Sequence, residues 1–158
     1  MKILKTIPFT TKKYKEMQTK VKELEAEREV VMARLVVARG MGDLSENGAY
    51  KYAKFELGNI GRQLKRFKNL LANGFPAPKN TGGKGLIDFG SEVTVQKMDK
   101  TKKERTFTIV SKHESDPTKG SLAFSSPMGK VLMRKKTGDI VIVETPTGNQ
   151  EYKIISIN

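Results

Sequence analysis

The nine residues Arg39-Gly40-Met41-Gly42-Asp43-Leu44-Ser45-Glu46-Asn47 bring together the side chains of this sequence best suited to chemistry. Asp43 and Glu46 are hard oxygen donors three positions apart. Such a pair is a minimal protein contribution to a Mg²⁺ site, because that ion keeps most of its waters and takes further ligands from elsewhere. The same spacing is that of a capping box, with Asp43 as N-cap and Glu46 at the third helical position, each satisfying an orphan amide. The two readings are compatible, since carboxylates fixed on the first turn of a helix are preorganised for a cation. Two carboxylates alone hold Mg²⁺ poorly, so the metal reading requires a partner that completes the site. Cations flank the acids. Arg39, Lys51 and Lys54 are placed to hold a phosphate backbone beside them, although exposed lysines are equally ordinary on a solvated helix face. Tyr50 and Tyr52 are near enough to stack on a base, but Tyr50 also falls on a helical seam and so reads as core.

Two long heptad patterns must position this stretch. Before it, Tyr14, Met17, Val21, Leu24, Arg28, Val31, Leu35 and Ala38 are spaced 3, 4, 3, 4, 3, 4, 3, a coiled-coil seam with Arg28 as its one polar intrusion. After it, Tyr50, Ala53, Leu57, Ile60, Leu64, Phe67 and Leu71 repeat the spacing. Two matched seams joined by a short reversal predict an antiparallel helical hairpin, roughly 40 Å long at 1.5 Å rise per residue. Thr10 or Thr11 is the expected first N-cap, and Asn73-Gly74 the expected stop of the second helix. Glu16, Glu23, Glu25, Glu27 and Glu29 on the first helix face Arg62, Lys65, Arg66 and Lys68 on the second, a complementarity that favours this register.

Beyond Gly74 the periodicity is lost in a Gly- and Pro-rich stretch, predicted as a linker over 75–87 between a domain at 1–74 and another at 88–158. The period then changes to two. Strands are expected at Glu92–Gln96, at Arg105–Ser111, around Leu122 and Phe124, and at Ile140–Val143 and Tyr152–Ile157 across a loop at 145–149. Ser126-Pro127 opens a short helix running to Met133. The fold class is α+β: the hairpin followed by a small antiparallel-sheet domain.

Composition narrows the chemistry. With no cysteine and a single histidine, His113, the 158-residue chain has no disulfide framework, no thiolate nucleophile and no Cys-ligated zinc. The net charge of +13 predicts salt-dependent attraction to a polyanion. That charge is uneven, with 17 basic and 8 acidic residues in 1–80 against 13 and 9 in 81–158. No apolar run is long enough to span a bilayer, the start is unlike a signal peptide, and a cytoplasmic protein without a membrane partner is expected.

Gly42-Asp43-Leu44-Ser45-Glu46-Asn47 followed by Tyr50 resembles the tip motif of the bacterial GreA/GreB transcript cleavage factors. Further segments follow in that family's order: Ile7-Pro8-Phe9-Thr10, Phe89-Gly90-Ser91-Glu92-Val93-Thr94-Val95, Ile109-Val110, Ser125-Ser126-Pro127-Met128-Gly129, Gly138-Asp139 and Glu144-Thr145-Pro146-Thr147-Gly148. The chain departs from the pattern at Ala49, where an acid is usual, and at Gly48, where alanine is commoner. The tip is closer to GreA, the basic second helix and the Ser-Pro-Met loop to GreB. The resemblance implies an FKBP-like C-terminal domain that binds RNA polymerase, while the hairpin enters the secondary channel and stimulates cleavage of backtracked transcripts. It further implies that Asp43 and Glu46 hold a Mg²⁺ shared with the polymerase, with no cofactor bound tightly by the chain alone, and that Ser45 supports them. Arg39 and Lys54 match contacts to the displaced RNA, and Ser126, Pro127 and Met128 match a polymerase-binding loop. The chain would be a monomer that meets nascent RNA and the DNA of the transcription complex, and would stimulate the polymerase without being an enzyme itself. Other readings are a channel-blocking paralogue without cleavage stimulation, a prolyl isomerase suggested by the FKBP-like topology, and a general basic nucleic-acid binder.

Overall fold

A computed structural model describes residues 4–43, 46–78 and 85–158. The two seams form the helices α1 (Thr11–Arg39) and α2 (Gly48–Asn73). One residue per heptad of α1, at Met17, Leu24, Val31 and Ala38, is buried, as are Ala53, Ile60 and Leu64 of α2. Leu24, Val31, Ala53, Ile60 and Leu64 make one cluster, with Val21, Leu35, Leu57 and Phe67 packed around it. Arg28, the polar residue in the seam pattern, is exposed. Of the charges expected to pair across the hairpin, Glu25 meets Lys68 at 2.7 Å. Arg34 meets Glu56 at 3.0 Å, a pair outside the expected set. Both are partly exposed and add about 0–1 kcal/mol each, so the seam sets the register and the charges follow it.

The chain divides into two compact units, Met1–Ile7 with Lys12–Phe75 and Pro8–Thr11 with Pro76–Asn158. Two short strands, β1 (Ile7–Phe9) and β2 (Gly74–Pro76), pair as a two-stranded sheet. These units differ from the expected domains in where they place the segment before α1. Residues 8–11 group with the second unit: Phe9 is fully buried with its ring 6.4 Å from that of His113, and the Thr10 amide and hydroxyl both donate to the Glu114 carboxylate, the amide at 3.0 Å. The stretch expected as a linker, 75–87, includes defined structure at both ends. Its first residues lie in β2, and Ile87 near its end is fully buried in the core of the second unit. Residues 79–84, outside the described residues, fall within that stretch. Asn73-Gly74 does end α2, but Gly74 is extended (φ −102°, ψ 164°) and leads directly into β2 instead of closing a left-handed cap.

The second unit is a five-stranded sheet of β3 (Glu92–Lys97), β4 (Glu104–Val110), β5 (Ser121–Ala123), β6 (Ile140–Thr145) and β7 (Gly148–Ile157), in the order β5-β4-β3-β7-β6. Alternation places Val93, Val95, Val141 and Val143 inward, and Ile154 joins Ile87, Ile109 and Leu132 beneath them. The sheet is mixed where an antiparallel one was expected. β5 runs parallel to β4 (Ile109 opposite Leu122) because residues 111–120, including a 3₁₀ turn at Pro117–Lys119, carry the chain back before the strand starts. The β6–β7 connection is also tighter than expected: Thr145 pairs with Gly148, leaving only Pro146-Thr147 as the loop. Helix α3 (Pro127–Leu132) starts as its sequence requires, with the Ser126 hydroxyl accepting from the Gly129 amide at 3.0 Å and Pro127 at the first position.

Candidate functional site

The reversal between α1 and α2 is built from residues 40–47. Its first half continues the helical winding: the amides of Gly40 and Met41 bond back to the carbonyls of Val37 and Ala38, both at 3.1 Å. Gly42 then takes φ +118°, a backbone setting that side chains resist, and turns the chain. Asn47 closes the loop. Its Oδ1 accepts from the Tyr50 amide at 3.0 Å and its Nδ2 donates to the Ala38 carbonyl at 2.6 Å, so one side chain caps the start of α2 and ties it to the end of α1.

This arrangement overturns the capping-box reading. Helix α2 begins at Gly48 with Asn47 as its cap, so Asp43 and Glu46 precede the helix and are not its N-cap and third residue. The physical reason is Asn47's amide group, which supplies an acceptor for the new helix and a donor for the old one, whereas a carboxylate supplies only acceptors. The signal was present in the sequence, because Asn47 stands three residues before Tyr50, where the second seam begins. Asp43 and Glu46 are therefore carried on the turn itself, and both are exposed. Ser45, like Leu44, lies outside the described residues.

The basic residues expected around the acids divide by surroundings. Arg39 is the last residue of α1, and Lys51 and Lys54 are on the first turns of α2; all three are exposed. The Lys54 ammonium stands 5.9 Å from the centre of the Tyr50 ring. Tyr50 is half-buried on the seam, while Tyr52 is 60% exposed. Sequence reasoning missed the apolar character of the surface here. Val37, Met41 and Phe55 are each more than 60% exposed, and an apolar cleft of about 370 Å³ is lined by Ala33, Arg34, Val37, Ala38, Met41, Ala49 and Ala53. Its only signal was the presence of apolar residues outside the 3–4 spacing.

Two exposed carboxylates are oxygen donors of the kind Mg²⁺ prefers, but they leave most of its coordination sphere to other ligands. Among the described residues no group of three or more His, Asp or Glu side chains gathers as a metal site. The loop expected to touch the polymerase is different in kind. The Ser126 hydroxyl is occupied in donating to the Ala123 carbonyl at 2.6 Å and capping α3, Met128 packs on the sheet core, and Pro127 is the exposed member of the three.

Fold and site together define a two-unit α+β protein in which a helical hairpin carries an acidic turn and a curled mixed sheet forms a separate core. Residues 7–74 match the N-terminal domain of transcription elongation factors, and residues 82–158 match the C-terminal domain of the GreA/GreB transcription elongation factors. The chain is 34% identical over 154 residues to transcription elongation factor GreA of Maridesulfovibrio salexigens, covering 98% of this chain and 96% of that protein. It is 32% identical over 151 residues to GreA of Helicobacter pylori strain Shi470, covering 95% and 92%. A solved structure of GreA factor homolog 1 from Thermus thermophilus aligns over 96% of this chain and 98% of its own at 20% identity and a TM-score of 0.43. The chain belongs to the GreA/GreB family of transcription elongation factors.

Proposed function

We propose that this protein is a transcription elongation factor that binds RNA polymerase and places the turn between α1 and α2 at the polymerase active site, where it stimulates hydrolysis of backtracked transcripts. The observation that carries this reading is the pair of exposed carboxylates, Asp43 and Glu46, on a turn at the end of two helices each roughly 40 Å long by their residue counts. Asp43 and Glu46 would hold a Mg²⁺ completed by polymerase ligands, and a bound Mg²⁺ supplies Lewis-acid stabilisation of a developing phosphoryl charge. The chain's own residues deliver the carboxylates and surround them with cations: Arg39, Lys51 and Lys54 are exposed beside the turn and suited to the phosphates of a displaced RNA strand. Ser45, adjacent in sequence to Glu46, is the supporting residue in this scheme. Pro127, with Ser126 and Met128 fixing its loop, contributes to polymerase binding. The protein acts on the reaction of its partner and has no nuclease activity of its own, because two carboxylates provide too few ligands and no bound nucleophile.

The test is transcript cleavage in stalled elongation complexes with the wild-type chain and with D43A/E46A. The wild type is expected to release short 3′ fragments, and the double variant to lose at least 100-fold in rate, about 2.7 kcal/mol of transition-state stabilisation, while still competing with the wild type for polymerase. A wild-type chain that binds polymerase without increasing cleavage would overturn the reading in favour of a channel-blocking factor.

A further inference from the structure

A second cationic feature lies far along the sequence from the hairpin, in the turn that joins β3 to β4. Residues 97–105 read Lys-Met-Asp-Lys-Thr-Lys-Lys-Glu-Arg, five cations in nine positions. One of the two acids is consumed inside the turn. Asp99 Oδ1 accepts from the Thr101 amide at 2.8 Å, from the Lys102 amide at 3.2 Å and from the Thr101 hydroxyl, and its other oxygen meets Lys97 at 3.1 Å. The remaining cations, Lys100, Lys102, Lys103 and Arg105, are all exposed, and among the described residues none has a carboxylate within 4.0 Å of its charged nitrogens.

The turn is ordered as well as basic. The Lys97 amide bonds to the Lys103 carbonyl at 2.9 Å, and the Lys102 amide approaches the Asp99 carbonyl at 3.3 Å. Lys102 sits in the left-handed region at φ +45°, a setting where glycine or asparagine is unstrained and lysine is not. Strain of this kind persists where surrounding bonds over-determine it, and it clusters at sites of function. Here it holds a cation on the outside of a fixed turn.

We propose that this turn binds the phosphodiester backbone of a nucleic acid without reading sequence, as a contact separate from the hairpin. The composition selects this ligand over a protein surface. Protein interfaces are anchored by desolvated aromatic and apolar side chains and are poor in lysine. Phosphate contacts instead come from Lys, Arg, Thr and backbone amides. The turn offers Lys100, Lys102, Lys103 and Arg105 for the second role, and for the first only Met98, itself half-exposed.

The experiment uses the full chain without polymerase, so its outcome is independent of transcript cleavage. Fluorescence anisotropy with a labelled single-stranded RNA and a labelled DNA duplex, each over a salt series, gives Kd and its salt slope. K100A/K103A/R105A is expected to weaken binding to the preferred strand by tenfold or more at low salt and to flatten the slope of log Kd against log salt by about 2 to 3, one contact per removed cation. K102G separates charge from structure: it relieves the backbone strain, so a purely structural turn would become more stable with unchanged affinity, whereas the proposal requires weaker binding. Unchanged Kd and slope in the triple variant, with its fold intact by circular dichroism, would overturn the assignment. So would a loss of binding to polyglutamate with none to either nucleic acid, which would mark the turn as a docking site for acidic protein.

Discussion

The side chain of Asn47 has two bonding partners on different helices, the Tyr50 amide of α2 and the Ala38 carbonyl of α1. No hydrophobic or Gly substitution reproduces both. Asn47→Ala is therefore expected to cost about 1–2 kcal/mol of hairpin stability, the upper end of an N-cap loss, read as a lower urea midpoint followed at 222 nm. Glu46→Ala is expected to change the same midpoint by less than about 0.5 kcal/mol, since Glu46 is exposed and precedes the helix it was positioned in sequence to cap. A comparable loss at both residues would show that Glu46 has a capping role after all. At this scale the sequence located the turn and its acids to the residue. It misassigned the cap because Asp43 and Asn47 are both good N-caps, and only the geometry of the closed loop distinguishes a residue that can donate as well as accept.

At the scale of elements, legibility followed length. The seams of α1 and α2 repeat over seven or eight positions each, and the alternation in β3 and β6 is supported by buried valines two apart. β1 and β2, with three residues and a proline each, offer no period to read, and their pairing is a product of the tertiary fold. The parallel direction of β5 depends on the path of residues 111–120, which no local pattern encodes. The position of α3 rests on a single atom's absence. A Cβ on Gly129 would lie 2.0 Å from the Ala123 carbonyl oxygen and 2.8 Å from the Phe124 Cα, both backbone atoms that cannot swing aside. Gly129→Ala is expected to destabilise the second unit by about 3 kcal/mol or more by overpacking, and to displace Pro127 with the helix it begins. Thermal unfolding of the variant measures the first effect, and a weakened competition for polymerase the second.

The β3–β4 turn carries a pH signature at the same scale. The hydrogen bond from the Thr101 hydroxyl, aided by Lys97 and the Thr101 amide, lowers the Asp99 pKa to about 2 from an ordinary 3.8. Because the folded value is depressed, the bonded turn is favoured fully above pH 3.8, and this contribution is lost as pH falls toward 2. Asp116 is shifted the same way by its bond from Thr118, which caps the 3₁₀ turn. The Thr101 and Lys102 amide resonances are expected to titrate near pH 2, and a midpoint near 3.8 would show that the Asp99 bonds do not form in solution.

For the whole molecule the governing fact is that the two units have separate apolar cores, one of Leu24, Val31, Ala53, Ile60 and Leu64 and one that includes Ile87, Val93, Ile109, Leu132 and Ile154. A seam core is thin, since a helix in a two-helix hairpin buries one stripe only, whereas the sheet is packed by α3 and by its own inward face. The hairpin is expected to unfold first. Ile60 is 3% exposed and Leu132 fully buried, so truncating either to alanine removes contacts worth about 2–5 kcal/mol. For units of this size each kcal/mol moves the midpoint by about 4–8 °C. Calorimetry of the full chain should therefore resolve two transitions, with Ile60→Ala lowering the earlier by about 10 °C or more and leaving the later in place, and Leu132→Ala doing the reverse. A single transition that shifts equally in both variants would mean that the units fold as one cooperative body, and that destabilising the hairpin would also unfold the sheet unit.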